Sequence, residues 1–96
     1  MSQKLGVVGL GAIGMKVASL VDEGRLPGLS LTGIWSGSRE KTLRAATSLS
    51  SQPATLEPRE MACACDIIVE CAPTDAFPGI ARPVIEARRT LVTVSG

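Results

Sequence analysis

Three glycines at Gly9-x-Gly11-x-x-Gly14, inside "LGVVGLGAIGM", stand where a continuous apolar run gives way to an amphipathic one. Glycine loses more backbone freedom on folding than any other residue, so a cluster at such a junction marks a place that needs the absence of side chains. Between a strand and a helix, this spacing lets the first glycine make a tight turn. The second lets the backbone approach a pyrophosphate, and the third lets the helix pack close to the strand. A phosphate placed there meets N–H groups at the positive end of the helix. The candidate cradle is Gly9, Leu10, Gly11, Ala12, Ile13 and Gly14. The competing reading is a tight turn and close packing with no ligand.

A site of this kind that holds the ribose hydroxyls of NAD carries an acid about 20 residues after the glycines. Here Ser36-Gly37-Ser38-Arg39 fills that place. Asp22 and Glu23 come too early, on the first predicted helix, and Glu40 falls in the next one. Two hydroxyls and an arginine at a helix start suit a 2′-phosphate instead, because arginine forks onto phosphate and the helix dipole favours the anion. Ser36, Ser38 and Arg39 are therefore read as contacts to the cofactor, with NADP favoured over NAD. Their plainer reading is a helix cap at Ser38 and a solvated charge at Arg39. An S-adenosylmethionine site also uses a glycine turn, but it wants an acid after the second strand, where Ser36 stands.

Other chemistry is excluded by what the chain lacks. With no histidine, it has no Ser-His-Asp triad, no histidine acid and no zinc site of the usual histidine type. Cys63, Cys65 and Cys71 are odd in number and do not match paired zinc knuckles. They read as small buried or half-buried thiols of a reducing cytosol. Cys71 falls at the carboxyl end of a predicted strand, where ligands gather in open α/β sheets, and reads as a small residue beneath a cofactor rather than a reactive thiol. Lys4, Lys16 and Lys41 read as solvated charges. No catalytic residue and no metal ligand is assigned.

The elements that position these residues follow from periodicity. Leu5 to Val8 is a short apolar run, read as a buried strand. From Ala12 the pattern changes to Ile13, Val17, Leu20 and Val21, one face of a helix that Gly24 ends. "RLPG" is a loop, and residues 29–35, "LSLTGIW", form the second strand. "REKTLRAATSL" is helical, with Leu43, Ala46 and Leu49 on one side. "QPAT" is a short third strand near an edge, since Pro53 lacks a donor. Pro58 opens a short helix through about Ala64, and residues 66–72 are the fourth strand. A fourth helix carries Ile80, Ala81, Val84 and Ile85, capped by Thr74 or Asp75. Pro83 should kink or restart it over 75–88. Residues 90–94 are the fifth strand. Strands alternating with helices predict an α/β fold of the Rossmann type: an open, parallel five-stranded sheet in the order 3-2-1-4-5, with helices on both faces.

Composition agrees with one small domain over residues 1–96. The 45% apolar content with only Trp35 and Phe77 as aromatics suits a parallel sheet rich in branched aliphatics and buried on both faces. A net charge of +1 speaks against nucleic acid as a partner, which would want a basic stripe. No run reaches the roughly 18 apolar residues of a membrane span, and glycines break the N-terminal apolar run as a signal helix. The chain is read as cytoplasmic.

The pieces "GVVGLGAIG", "VECAPTDA" and "RPVIEARRTLVTVSG" together resemble the N-terminal dinucleotide-binding domain of the L-aspartate dehydrogenases, a family similar in this domain to homoserine dehydrogenases. The resemblance covers essentially the whole chain. The glycine motif is shared by many dehydrogenases, and the ending "TVSG" is the more discriminating piece. The resemblance implies that the loop after strand four, spanning Glu70, Cys71, Ala72, Pro73, Thr74, Asp75 and Ala76, lies along the cofactor, and that Ser95 and Gly96 lie near the nicotinamide. Ala72, Pro73, Asp75 and Ser95 join the candidate contacts on that basis, although Asp75 could instead only cap the fourth helix. The family often has an acid where Ser36 stands, so the departure bears on NAD preference.

The resemblance also implies an oxidoreductase lineage, NAD(P)-dependent oxidation of L-aspartate in the whole protein, and a second domain carrying the catalytic residues, absent from this chain. A stand-alone nucleotide sensor or assembly module and a homoserine dehydrogenase-like fragment are the competing readings. Strand five, Thr90 to Val94, would be an uncharged sheet edge, which invites another chain, and a homodimer through that side is expected.

Overall fold

The computed structural model describes residues 3–71 and 90–93. Their order is β1 (Gln3–Val8), α1 (Ala12–Asp22), β2 (Leu29–Trp35), α2 (Arg39–Ser48), β3 (Ala54–Thr55), α3 (Pro58–Ala64), β4 (Ile67–Glu70) and β5 (Thr90–Thr93). All five strands are parallel, in the order β3-β2-β1-β4-β5, which is the Rossmann-type order the alternating pattern predicts. The expected fourth helix and its proline kink lie outside the described residues. Among the described residues no helix is long and apolar enough to cross a membrane.

β1 runs through the middle of the sheet and alternates between two cores. Leu5 and Val7 join Ala18 and Val21 of α1, Ala46 of α2 and Leu49 just beyond it. Val8 joins Met61 and Ala62 of α3, with Cys65 and Ile68. The two helix layers therefore cover opposite faces, as the two-step period of a strand requires. Val7, Ile34 and Ile68 are fully buried, and each such side chain contributes about 1.5–3 kcal/mol. The β1–β2 register skips between Leu5 and Gly6, so that Leu5 pairs with Leu31 but Gly6 with Gly33. This bulge turns Leu31 and Ile34 into the same core.

The helix ends obey local rules. At the end of α1, Gly24 has φ +75°, its N–H donates to the Val21 carbonyl, and the Arg25 N–H donates to that of Leu20. This is the paired closure that a left-handed glycine allows. α3 starts at Pro58, and the side chains of Glu57 and Glu60 bond reciprocally to each other's backbone N–H groups, satisfying donors that a helix start leaves open.

Two predicted helix faces are corrected. On α1 the buried residues are Gly14, Ala18 and Val21, while Ile13 is 60% exposed. The helix lies so close to the sheet that only small side chains fit beneath its first turns, and the inward face rotates accordingly. On α2, Thr42 and Ala46 are buried, and Leu43 is 52% exposed. Leu43 lines an open groove of about 370 Å³ with Pro53 and Thr55 at the β3 edge. Cys63 is exposed, against the expectation of three buried or half-buried thiols, while Cys65 is buried and Cys71 intermediate. None of the three is in a disulfide.

Candidate functional site

The carboxyl ends of β1, β2 and β4 converge on the glycine turn. Gly9 takes φ +95°, a left-handed conformation that side chains resist. Its N–H donates to the Trp35 carbonyl at 2.7 Å, and the Cys71 N–H donates to the Val8 carbonyl at 2.7 Å. The turn is thus tied to β2 on one side, and β1 to β4 on the other. This is the point where the strand order reverses, and ligands of open α/β sheets bind in the crevice outside such a point.

The three glycines separate by cause. Gly9 is demanded by its φ. Gly14 is demanded by space, because a β-carbon there would collide with the carbonyl of Gly9 and come within 3.5 Å of the Cys71 Cβ. Gly11 is demanded by neither. Its φ is −74° and ψ −163°, open to any residue, and a β-carbon there meets nothing within 4 Å. Gly11 is also the N-cap of α1, with no side-chain cap, and its carbonyl accepts the first helical bond, from the Met15 N–H at 2.9 Å. The preceding N–H groups lie ahead of the helical ladder and face outward. The missing side chain at Gly11 therefore leaves room directly over the positive end of a helix, which fits a pyrophosphate.

Of the other cradle residues, Leu10 is half-buried and packs on the core, so its side chain anchors the turn. Ala12 and Ile13 are exposed on the first turn of α1, beside that room. Ile13 is predicted both as a core residue and as a contact, and its exposure removes only the first of these roles.

The second cluster follows β2. Ser38 is the N-cap of α2, and its hydroxyl accepts from the Lys41 N–H at 3.5 Å. Gly37 has φ +86° and turns the chain sharply between the two serines. The Ser36 hydroxyl lies 3.1 Å from the Ser38 carbonyl and 2.9 Å from the Thr42 hydroxyl. Arg39 is exposed, with its guanidinium 4.0 Å from the Glu57 carboxylate, a contact that solvent screens to little. Glu40 is occupied by Arg44 at 2.7 Å. The Trp35 carbonyl that holds Gly9 directly precedes Ser36, so the two clusters share one backbone.

Two contributors are missed by reading motifs. Thr42 is fully buried and ties the turn from inside. The available signal is a threonine four residues after a helix cap, which bonds back to the i−4 carbonyl. The Trp35 carbonyl is the other, and only strand pairing reveals it. At the β4 end, Glu70 is fully buried. Burial pushes the neighbouring Cys71 thiol up, and the Glu70 charge adds to this. A thiol so placed favours its protonated form. The candidates Ala72, Pro73, Asp75 and Ser95 lie outside the described residues.

A family model described as homoserine dehydrogenase, NAD binding domain, matches residues 9–96. The L-aspartate dehydrogenase of Bradyrhizobium diazoefficiens is 32% identical over 92 residues, which cover 96% of this chain and 32% of the relative. That of Methanocella arvoryzae is 30% identical over 92 residues, with 96% and 34% covered. The chain thus spans about a third of the length of the curated relatives it matches. Among solved structures, scyllo-inositol dehydrogenase from Lactobacillus casei with bound NAD(H) and scyllo-inositol superposes at a TM-score of 0.81 and 17% identity, covering 97% of this chain and 28% of that one. Myo-inositol 2-dehydrogenase from Lactobacillus plantarum does so at 0.80 and 18%, with 97% and 28% covered. At these identities the likeness is one of fold.

Proposed function

The chain belongs to the homoserine dehydrogenase NAD-binding domain family, and from that premise we propose that it is the cofactor-binding part of an NAD(P)-dependent amino-acid dehydrogenase acting on L-aspartate. The observation that carries the nucleotide reading is Gly11, the one glycine of the motif that neither backbone conformation nor packing requires. The substrate class follows from the L-aspartate dehydrogenase relatives, whose remaining length would supply the substrate domain and the catalytic residues.

When bound, the nicotinamide supplies hydride transfer. This chain's own residues bind and orient. The backbone of Gly9 to Gly14 and the first turn of α1 would hold the pyrophosphate, with Ile13 exposed beside it. The turn Ser36–Arg39 would take the adenosine ribose. Ala72, Pro73 and Asp75, which follow β4 in sequence, and Ser95, which follows β5, are assigned to the nicotinamide half.

For the 2′ position we favour phosphate, hence NADP. No carboxylate follows β2 in the turn 36–38. The Ser38 hydroxyl, which accepts from Lys41, keeps its own proton to donate, and Arg39 is exposed at the first position of α2. The β5 edge supports a homodimer.

Calorimetric titration of the folded chain with NADP and with NAD tests the reading. Saturable binding of at least one is expected. An absence of binding by both, in a chain with native circular dichroism, overturns it.

A further inference from the structure

The β2–α2 turn is held from inside by a buried hydroxyl. Thr42 has no exposed surface. Its Oγ1 accepts from the Ser36 N–H at 3.0 Å and donates to the Ser38 carbonyl at 2.7 Å. It also lies 2.9 Å from the Ser36 Oγ. One side chain thus grips both ends of the Ser36-Gly37-Ser38 turn, across a glycine held at φ +86°.

Proton accounting sharpens the point. A threonine hydroxyl has one proton and two lone pairs. The proton goes to the Ser38 carbonyl and one lone pair takes the Ser36 N–H, which leaves one lone pair facing the Ser36 hydroxyl. Both acceptors within reach of that hydroxyl, Thr42 Oγ1 and the Ser38 carbonyl at 3.1 Å, lie inside the turn. With its proton held inward, Ser36 presents only lone pairs outward. Donation at the 2′ position is thereby left to the Ser38 hydroxyl and the Arg39 guanidinium.

We propose that Thr42 is the positioning residue that sets cofactor discrimination at the 2′ position. It fixes the path of Ser36–Ser38 and so decides which atoms of Ser36, Ser38 and Arg39 face that position. Thr42 itself touches no ligand. The proposal rests on the reading of this chain as a dinucleotide-binding domain, and it concerns the ratio of two affinities rather than binding as such.

The test compares Thr42→Val, which keeps the volume and removes the hydroxyl, with Thr42→Ser, which keeps the hydroxyl. Dissociation constants for NADP and NAD are measured by calorimetry on the parent and both variants, with melting curves to establish folding. The expected result is that T42V moves the NADP-to-NAD affinity ratio at least fivefold toward unity, while T42S keeps the parent ratio within twofold. A parent ratio of one, a T42V ratio unmoved while both affinities fall together, or equal ratio changes in T42S and T42V overturns the proposal, since each is what a merely structural hydroxyl gives. If T42V does not fold, Thr42→Ala takes its place under the same criteria, with T42S again as the variant that keeps the hydroxyl. Failure of the dinucleotide reading itself looks different, because the parent then binds neither nucleotide.

Discussion

The carbonyl oxygen of Gly9 occupies the place where a β-carbon on Gly14 would have to sit. The turn and the first helical turn are therefore one packed unit, and the second glycine of the motif stands outside it. Two substitutions separate the roles. Gly14→Ala forces backbone apart, and overpacking of this kind costs about 1–3 kcal/mol or more; the melting temperature should fall by several degrees or the chain should not fold. Gly11→Val adds methyls into open space, so the fold should survive while dinucleotide affinity drops at least about tenfold, or 1.4 kcal/mol. Unchanged affinity in a folded Gly11→Val chain would sink the phosphate reading.

Arg39→Ala probes the 2′ end. A charge-assisted hydrogen bond to phosphate contributes about 1.5–3 kcal/mol, so NADP should weaken by more than tenfold and NAD by much less. Ser36→Asp places a negative charge after β2 and should tilt preference toward NAD. Parallel titrations of both cofactors check this, and a parent chain that binds NAD more tightly than NADP contradicts the assignment of the turn.

Asp22 clamps the end of α1 to the loop before β3. Its carboxylate accepts from the Ser51 hydroxyl at 2.5 Å and from the N–H groups of Ser51 and Ser50 at 2.7 and 3.0 Å. The Ser51 hydroxyl, then the Ser51 N–H, hold its pKa below the ordinary 3.8, against a smaller opposing effect of burial. A carboxyl whose folded value is depressed stabilises the fold above its unfolded value and loses that contribution as pH falls through the folded one. Asp22→Ala should lower the melting temperature at neutral pH, and the gap to the parent should close as the pH drops below 3.8. A gap independent of pH would show that the clamp does not act through the charged carboxylate.

Cys71 and Cys63 should differ in reactivity. The Cys71 thiol is pushed up by burial and by Glu70, whereas Cys63 is exposed. Thiolate is the reacting species, so alkylation at pH 8 should label Cys63 well before Cys71, as read by peptide mass spectrometry. Bound dinucleotide should slow Cys71 further. Rapid labelling of Cys71 would contradict its proposed place as a quiet residue beneath the ligand.

β5 is a terminal strand of the sheet, and Val92 on it is 42% exposed. Uncharged edges invite pairing, and a lysine there discourages it. Sedimentation at micromolar concentration should show a dimer, and Val92→Lys should shift it toward monomer. A parent chain that sediments as a monomer rules out this interface.

Local pattern determined much of the protein. A change of period from continuous apolar to helical at Ala12, with glycines between, specified strand, turn and helix, because periodicity is a property of neighbours in sequence. The alternation repeated along the chain pointed to a parallel sheet, and the glycine turn after the first strand pointed to the Rossmann-type order β3-β2-β1-β4-β5. The same pattern misplaced Ile13 and Leu43. Helical spacing names a stripe of apolar residues, but the distance of approach between helix and sheet decides which part of the stripe is covered. Close approach at Gly14 turned the buried face toward Ala18 and Val21. Tertiary structure alone decided the finer chemistry of the site. That Gly11 is the glycine neither turn nor packing requires emerges only once Gly14 is seen against Gly9. That Thr42 holds both serines requires α2 to fold back on the end of β2, and that Trp35 holds Gly9 requires β2 to lie beside β1. Each is a contact that exists only after the strands have paired.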